Sequence, residues 1–162
     1  MRKSRDGKAG MKAAGMKSMT VPNETFAIEI GRLLEEGSEV VFKPKGISML
    51  PFIRGGRDSI ILRKPSVLKA GDIVLARTDD SRYVVHRIIS AEEGRLTLMG
   101  DGNVAGKEHC TEKDVLGVAV KIVRDGKQID CQSPAHLRKA RIWARLLPVR
   151  RYLLAIYKRI NL

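Results

Sequence analysis

The sequence predicts a mostly β domain, a coiled antiparallel sheet with a short N-terminal helix and a basic amphipathic C-terminal helix. Two observations predict it. Between residues 39 and 130, seven short runs rich in β-branched and aliphatic residues are separated by turn signals such as Gly55-Gly56, Ala70-Gly71-Asp72, Glu93-Gly94 and Asp125-Gly126. Before and after this region the apolar residues instead recur every three or four positions, the helical period.

Residues 1–22 are rich in Lys, Gly, Ala, Ser and Met and lack apolar periodicity, so they are expected to form a basic flexible tail. Met1, Met11, Met16 and Met19 are all candidate start residues. Asn23 can cap the helix that follows, over 24–36, where Phe26, Ile30, Leu33 and Leu34 share the face expected to pack on the sheet, and Gly37 ends it. The predicted strands are 39–43, 59–63, 73–77, 82–90, 95–99, 117–124 and 127–130. Their hairpin-length links make the sheet largely antiparallel. Residues 23–131 are thus expected to form the β domain.

In the remaining segment, 132–162, Ser133-Pro134 forms a cap and first-turn pair. Ile142, Leu146, Val149, Leu153, Ile156 and Ile160 then make an apolar stripe, and Pro148 should kink or divide the helix. Two readings stay open: a helix docked on its own domain, and an interfacial helix on anionic lipid across residues 137–160, the latter favoured by the absence of any acid.

Charge is unevenly distributed. Residues 1–22 carry six Lys/Arg and one Asp, residues 23–130 carry 17 of each sign, and residues 131–162 carry eight basic residues and no acid. The high net charge of +13 therefore belongs to the two ends, and no nucleic-acid partner is expected of the neutral β domain. No helix-turn-helix pattern precedes the sheet, which argues against a DNA-binding repressor. No apolar stretch approaches the ~20 residues needed to span a bilayer, and the basic start is not followed by a secretory apolar core. The expected location is the cytoplasm, with peripheral attachment to the inner membrane through the C-terminal helix. Cys110 and Cys131 read as free thiols of a reducing compartment. His109, Cys110, Cys131 and His136 lack zinc-ligand spacing, so no metal or cofactor is expected.

The longest run without charge, Gly46-Ile47-Ser48-Met49-Leu50-Pro51-Phe52-Ile53, suits a bent loop presenting a serine. A serine nucleophile needs a base, and His86 is offered at the end of the run Tyr83-Val84-Val85-His86. Histidine's ordinary pKa, near ~6.5, suits taking and returning a proton. The turn Gly100-Asp101-Gly102-Asn103 then supplies Asp101.

The order Ser48-Met49-x-Pro51, His86-Arg87, Gly-Asp-x-Asn resembles the signal-peptidase superfamily of serine endopeptidases, which includes the self-cleaving SOS-type repressors. The resemblance covers about residues 39–125, and its His-Arg pair is similar to the branch that uses histidine where the usual bacterial enzymes use lysine. It implies the coiled sheet of the signal-peptidase catalytic domain, and a Ser48–His86 dyad. Asp101 is the expected support and Glu108 the second candidate. Met49 and Pro51 are expected to contact substrate, and backbone amides near Ser48 to stabilise the oxyanion. The N-terminal membrane anchor usual in the family is not expected here. The implied partner is a peptide or protein substrate, such as a leader or precursor, cleaved through an acyl-enzyme. Rival readings are a non-catalytic peptide-binding module of the same fold and a repressor-type peptidase cutting its own tail at Ala14-Gly15.

Overall fold

The computed structural model describes residues 16–19 and 23–162. Among these, nine strands form one sheet: β1 (Met16–Met19), β2 (Glu39–Phe42), β3 (Ser59–Arg63), β4 (Ile73–Arg77), β5 (Tyr83–Glu92), β6 (Arg95–Met99), β7 (Glu108–Thr111), β8 (Val115–Arg124) and β9 (Lys127–Asp130). The helices are α1 (Glu24–Glu35), α2 (Pro134–Arg145) and α3 (Arg150–Asn161). The strand order is β1-β2-β3-β8-β4-β5-β6-β7, with β9 beside β8. Every pairing is antiparallel except β1 with β2. The mostly β, antiparallel class with helices at both ends is therefore the observed one.

All seven predicted strands are present, and two more were not foreseen. β7 has the polar sequence Glu-His-Cys-Thr, which carries no alternation. β1 lies in the stretch expected to be a flexible tail, yet Met16–Met19 pair with Glu39–Phe42. The bond Ala14-Gly15 lies outside the described residues.

β8 is the pivot of the sheet. Val115, Gly117 and Val118 pair with β4, and residues from Val118 to Val123 pair with β3, with a register shift in each ladder. Such bulges increase local twist and let a sheet coil over itself. Two cores result. Ile73 and Leu75 of β4 point into one, with Phe42, Leu62 and Ile30, while Val74 and Ala76 point into the other, with Ile88, Leu96 and Leu98. A strand buried on both faces needs no polar alternation, which explains the run Ile-Val-Leu-Ala.

α1 starts where expected, with Asn23 Oδ1 accepting from Phe26 N at 3.0 Å. Its buried face is Ala27, Ile30, Leu33 and Leu34, whereas Phe26 is 37% exposed. The correction is one of phase: Ala27, three residues before Ile30 and seven before Leu34, fits the close approach to β8. There Gly117 leaves room for Leu34, whose Cδ1 lies 2.6 Å from where a Cβ on that glycine would stand.

The C-terminal segment divides at Pro148, in a short 3-10 turn over Leu147–Val149. It docks through His136, Ala140, Arg150 and Leu154, all buried. His136 meets the Phe52 ring edge-on at 5.4 Å, and burial holds its pKa below the ordinary histidine value. Most of the predicted stripe stays outside: Ile142, Val149, Ile156 and Ile160 are exposed, together with Tyr152. No helix among the described residues is long and apolar enough to cross a membrane.

The loop after Ser48 is closed by a buried charge cluster. Asp58 is fully inaccessible and accepts from Arg54 N, Nε and Nη2 and from Arg124 Nε and Nη2. Arg124 also donates to the Phe52 carbonyl at 2.9 Å. The five-residue stretch 54–58 is thus a clasp on the loop as well as a link to β3. Burial pushes the Asp58 carboxyl up, but the bonds from Arg124 and Arg54 outweigh it and leave its pKa below the ordinary carboxylate value. This stabilisation is complete above the unfolded carboxylate pKa of about 4, and is lost as pH falls through the lower folded value. Asp58→Ala should cost about 3–5 kcal/mol, as expected for a buried ion pair stripped of one partner. Urea denaturation at pH 7 measures this, and the gap to wild type should narrow in strong acid.

Candidate active site

The run 47–53 folds as consecutive turns, with Leu50 N bonded to Ile47 O at 3.2 Å and Ile53 N to Met49 O at 2.9 Å. Met49, Leu50 and Ile53 are buried and root the loop, leaving Ser48 half-buried beside them. Gly46 takes a φ of 86°, and Gly55 packs so closely on it that a Cβ at Gly55 would overlap the Gly46 carbonyl. Gly55 is therefore a steric requirement of the clasp, and Gly56 a conformational one at a φ of 72°.

The second support is the turn Gly100-Asp101-Gly102-Asn103. Gly102 N donates to Ser48 O at 2.8 Å. A Cβ on Gly100 would overlap Ser48 O, and one on Gly102 would overlap Ile47 O. The space kept open at Gly100 is where His86 comes in: its Nε2 lies 3.1 Å from the position of that absent Cβ. The Ser48 backbone and the His86 ring thus border one methyl-sized point. Both residues line a cleft of about 330 Å³, with Met49, Val85, Asn103 and Glu108.

His86 is 5% exposed, and its Nδ1 lies 3.0 Å from Glu108 Oε2. Glu108 opens β7, whose pairing opposes Glu108 to Leu98 and so carries the carboxylate toward β5. Arg82 Nη2 stands 4.0 Å from its other oxygen. The structure brings together Ser48, His86 and Glu108, the second of the two candidate acids.

Asp101 is placed elsewhere. Its carboxylate is held by Arg87, with Nε–Oδ1 at 2.9 Å and Nη2–Oδ2 at 2.7 Å, both residues being buried. Neighbouring residues on a strand point to opposite faces, so Arg87 and His86 reach different carboxylates. The Asp101 carbonyl accepts from Trp143 Nε1 at 2.8 Å, and the Asn103 carbonyl from Arg150 Nη1 at 2.9 Å. The expected orienting role of Asp101 is corrected to a clamp between β5, the turn and the C-terminal helices. An Arg two-point bond to a carboxylate leaves that acid little freedom to serve an imidazole.

Of the two residues expected to touch substrate, Met49 lines the cleft. Pro51 is not in the lining, and its carbonyl is 3.4 Å from Arg124 Nη2. Cys110 and Cys131 lie in separate cores, and desolvation pushes their thiols up to about 11 and about 12. No cluster of three or more His, Cys, Asp or Glu suited to a metal occurs among the described residues.

One further element bears on the cleft. β5 pairs with β4 from Tyr83 to Arg87, but with β6 only from Arg87 onward. Among the described residues no strand pairs with the other side of Tyr83–His86, which leaves a backbone edge beside Ser48, with Val84 and Val85 in the cleft wall.

Residues 8–120 match the Peptidase S24-like family. Two curated relatives, the LexA repressors of Limosilactobacillus reuteri strain DSM 20016 and of its subspecies reuteri strain JCM 1112, are each 27% identical over 117 residues, 72% of this chain and 56% of theirs. The chain spans little more than half the length of these relatives.

The two acids should separate on mutation. Asp101→Ala leaves Arg87 buried without its partner and should cost about 3–5 kcal/mol of stability. Glu108→Ala takes one hydrogen-bond partner from the buried His86 ring and should cost less, about 1–3 kcal/mol. Urea denaturation of both variants measures the difference.

Proposed function

Because the chain belongs to the Peptidase S24-like family, we propose that it is a serine endopeptidase in which Ser48 is the nucleophile, His86 the base and Glu108 the orienting acid. The observation that carries this reading is the two-sided engagement of His86, with Nδ1 on Glu108 and Nε2 at the point bordered by Ser48. A carboxylate on Nδ1 selects the tautomer whose Nε2 can accept a proton. Ser48 Oγ attacks the scissile carbonyl as its proton passes to His86 Nε2. The tetrahedral adduct then collapses, the C–N bond breaks, and the same proton goes to the leaving amine. Water, activated by His86, releases the acyl group from Ser48. Backbone amides near Ser48 are the natural donors to the oxyanion.

The substrate is an extended peptide that adds to the open edge of Tyr83–His86, main-chain bonds giving affinity and alternate side chains entering the cleft. This suits a signal-peptidase-like role on a leader or precursor. Cleavage of the chain's own tail is the second reading, and the repressor relatives favour it. β1 already lies parallel to the strand that leads into the Ser48 loop. In that register Met19, not Met16, is at the Ser48 end of β2, so a cut at Ala14-Gly15 requires β1 to leave it.

Association with a membrane surface is a separate part of the proposal. Ile142, Val149, Tyr152, Ile156 and Ile160 are exposed on helices whose segment, 131–162, carries eight basic residues and no acid. A nucleic acid would match the charge but leave the apolar stripe uncovered, whereas an anionic bilayer matches both. The docked position of α3 puts its end by the loop after Ser48, where Arg57 Nη1 donates to Asn161 O at 3.3 Å. The enzyme would then meet substrates at the bilayer surface.

Cleavage with active-site labelling, intact mass and vesicle flotation test these readings. Ser48→Ala and His86→Ala should each abolish peptide cleavage and fluorophosphonate labelling, and the double variant should be little worse than either. Glu108→Gln should lower kcat by about 10²–10⁴-fold, with partial rescue in Glu108→Asp. Unlabelled wild type would favour the non-catalytic module, and loss of tail mass in wild type but not Ser48→Ala would favour self-cleavage. Full-length protein should float with phosphatidylglycerol vesicles at low salt but not with phosphatidylcholine alone. The variant Ile156→Glu with Ile160→Glu, both at exposed positions, should lose flotation.

A further inference from the structure

A second cavity, of about 430 Å³, lies where the C-terminal helices meet the sheet. It shares no lining residue with the Ser48 cleft, and it contains none of the exposed stripe residues Ile142, Val149, Tyr152, Ile156 and Ile160. Its apolar wall includes Ile89, Met99, Leu137, Ala140 and Leu147. Lys69, Lys107, Arg141 and Arg150 also line it, and the side chains of these four form no salt bridge among the described residues. The one acid in the lining, Asp101, is already held by Arg87. Arg150 is 5% exposed, and although its Nη atoms donate to the Asn103 and Trp143 carbonyls, its Nε has no acceptor. A buried donor left unpaired costs about 1–3 kcal/mol.

The geometry points to this cavity as a binding site for a single-chain amphipathic anion, an alkyl carboxylate or alkyl phosphate. The volume is that of a small-molecule pocket. Four unpaired cations call for a negative head, and an inorganic anion would leave the apolar wall facing water. A peptide fits less well, because the cavity offers cationic side chains in place of an open strand edge. The alkyl chain lies along α2, and the head takes Lys69, Lys107 and Arg141, with Arg150 beside it. Arg87 and Asp101 line the same cavity, and Asp101 stands between the two glycines that press on Ile47 and Ser48. Occupancy therefore bears on the far side of the turn that supports Ser48.

The chain has a single tryptophan, and its indole N–H bonds the Asp101 carbonyl beside the cavity, so Trp143 reports occupancy. Sodium laurate, titrated into the full-length protein below its aggregation concentration, should change the Trp143 fluorescence saturably. Dodecanol and dodecyltrimethylammonium should bind at least tenfold more weakly. Lys69→Ser with Arg141→Ser, both exposed positions, should weaken laurate at least tenfold, while Ser48→Ala leaves it unchanged. Ile156→Glu with Ile160→Glu should keep laurate binding and lose vesicle binding, which separates a monomeric ligand from the bilayer surface. Absence of saturation, equal binding of the cationic detergent, or unchanged affinity in the lysine–arginine variant would overturn the proposal.

Discussion

The contact on which this structure depends is that of the turn 100–103 with the backbone of Ile47 and Ser48. Gly102 N bonds Ser48 O, and the glycines on both sides of Asp101 are in positions where any Cβ would collide with a carbonyl. The turn reaches Ser48 through this contact, while the Asp58 clasp holds the same loop from its other end. Arg87 fixes the turn to β5 by gripping Asp101, and so fixes the distance between the turn and His86 on the same strand. Trp143 and Arg150 hold the carbonyls of Asp101 and Asn103. A loop rich in glycine would otherwise carry a large entropy, and here it is ordered by bonds from three separate elements.

Two buried acids divide the labour of holding the serine loop. Asp58 closes it from the β3 side with Arg54 and Arg124, and Asp101 supports it from the β6 side with Arg87. Each is paired with arginine, whose planar fork satisfies several carboxylate lone pairs at once. Glu108, by contrast, meets a histidine and stands 4.0 Å from Arg82. That contrast in partners distinguishes a carboxylate that braces the fold from one available to an imidazole.

Much of the fold was legible because its signals are local. Turn glycines and runs such as Ser59–Arg63 and Arg95–Met99 located strands without tertiary information. The serine loop and the histidine strand were legible as chemistry, since an uncharged bent run and a buried histidine are both unusual. What was not legible depends on distant pairing. β7 has no period of its own and is a strand only because β6 offers it an edge, so the approach of Glu108 to His86 could not be read from spacing. Asp101 was the first candidate because it stands in the Gly-Asp-x-Asn turn just after a strand, but the competing claim of Arg87 is a fact of three dimensions. Phe26 failed as a core residue through a small rotation of α1 that only the contact of Leu34 with Gly117 reveals.

β7 is the outermost strand at its end of the sheet, four residues long, tied to β6 and by Asp79 N to the His109 carbonyl. Short edge strands open at a lower free energy than central ones such as β4 and β8, which are paired on both sides. His86 stands on a strand paired with β4 along Tyr83–Arg87, whereas its carboxylate partner Glu108 is the first residue of an edge strand. Because Cys110 of β7 is buried in the second core, opening this strand takes Glu108 from His86 and a side chain from that core in one step.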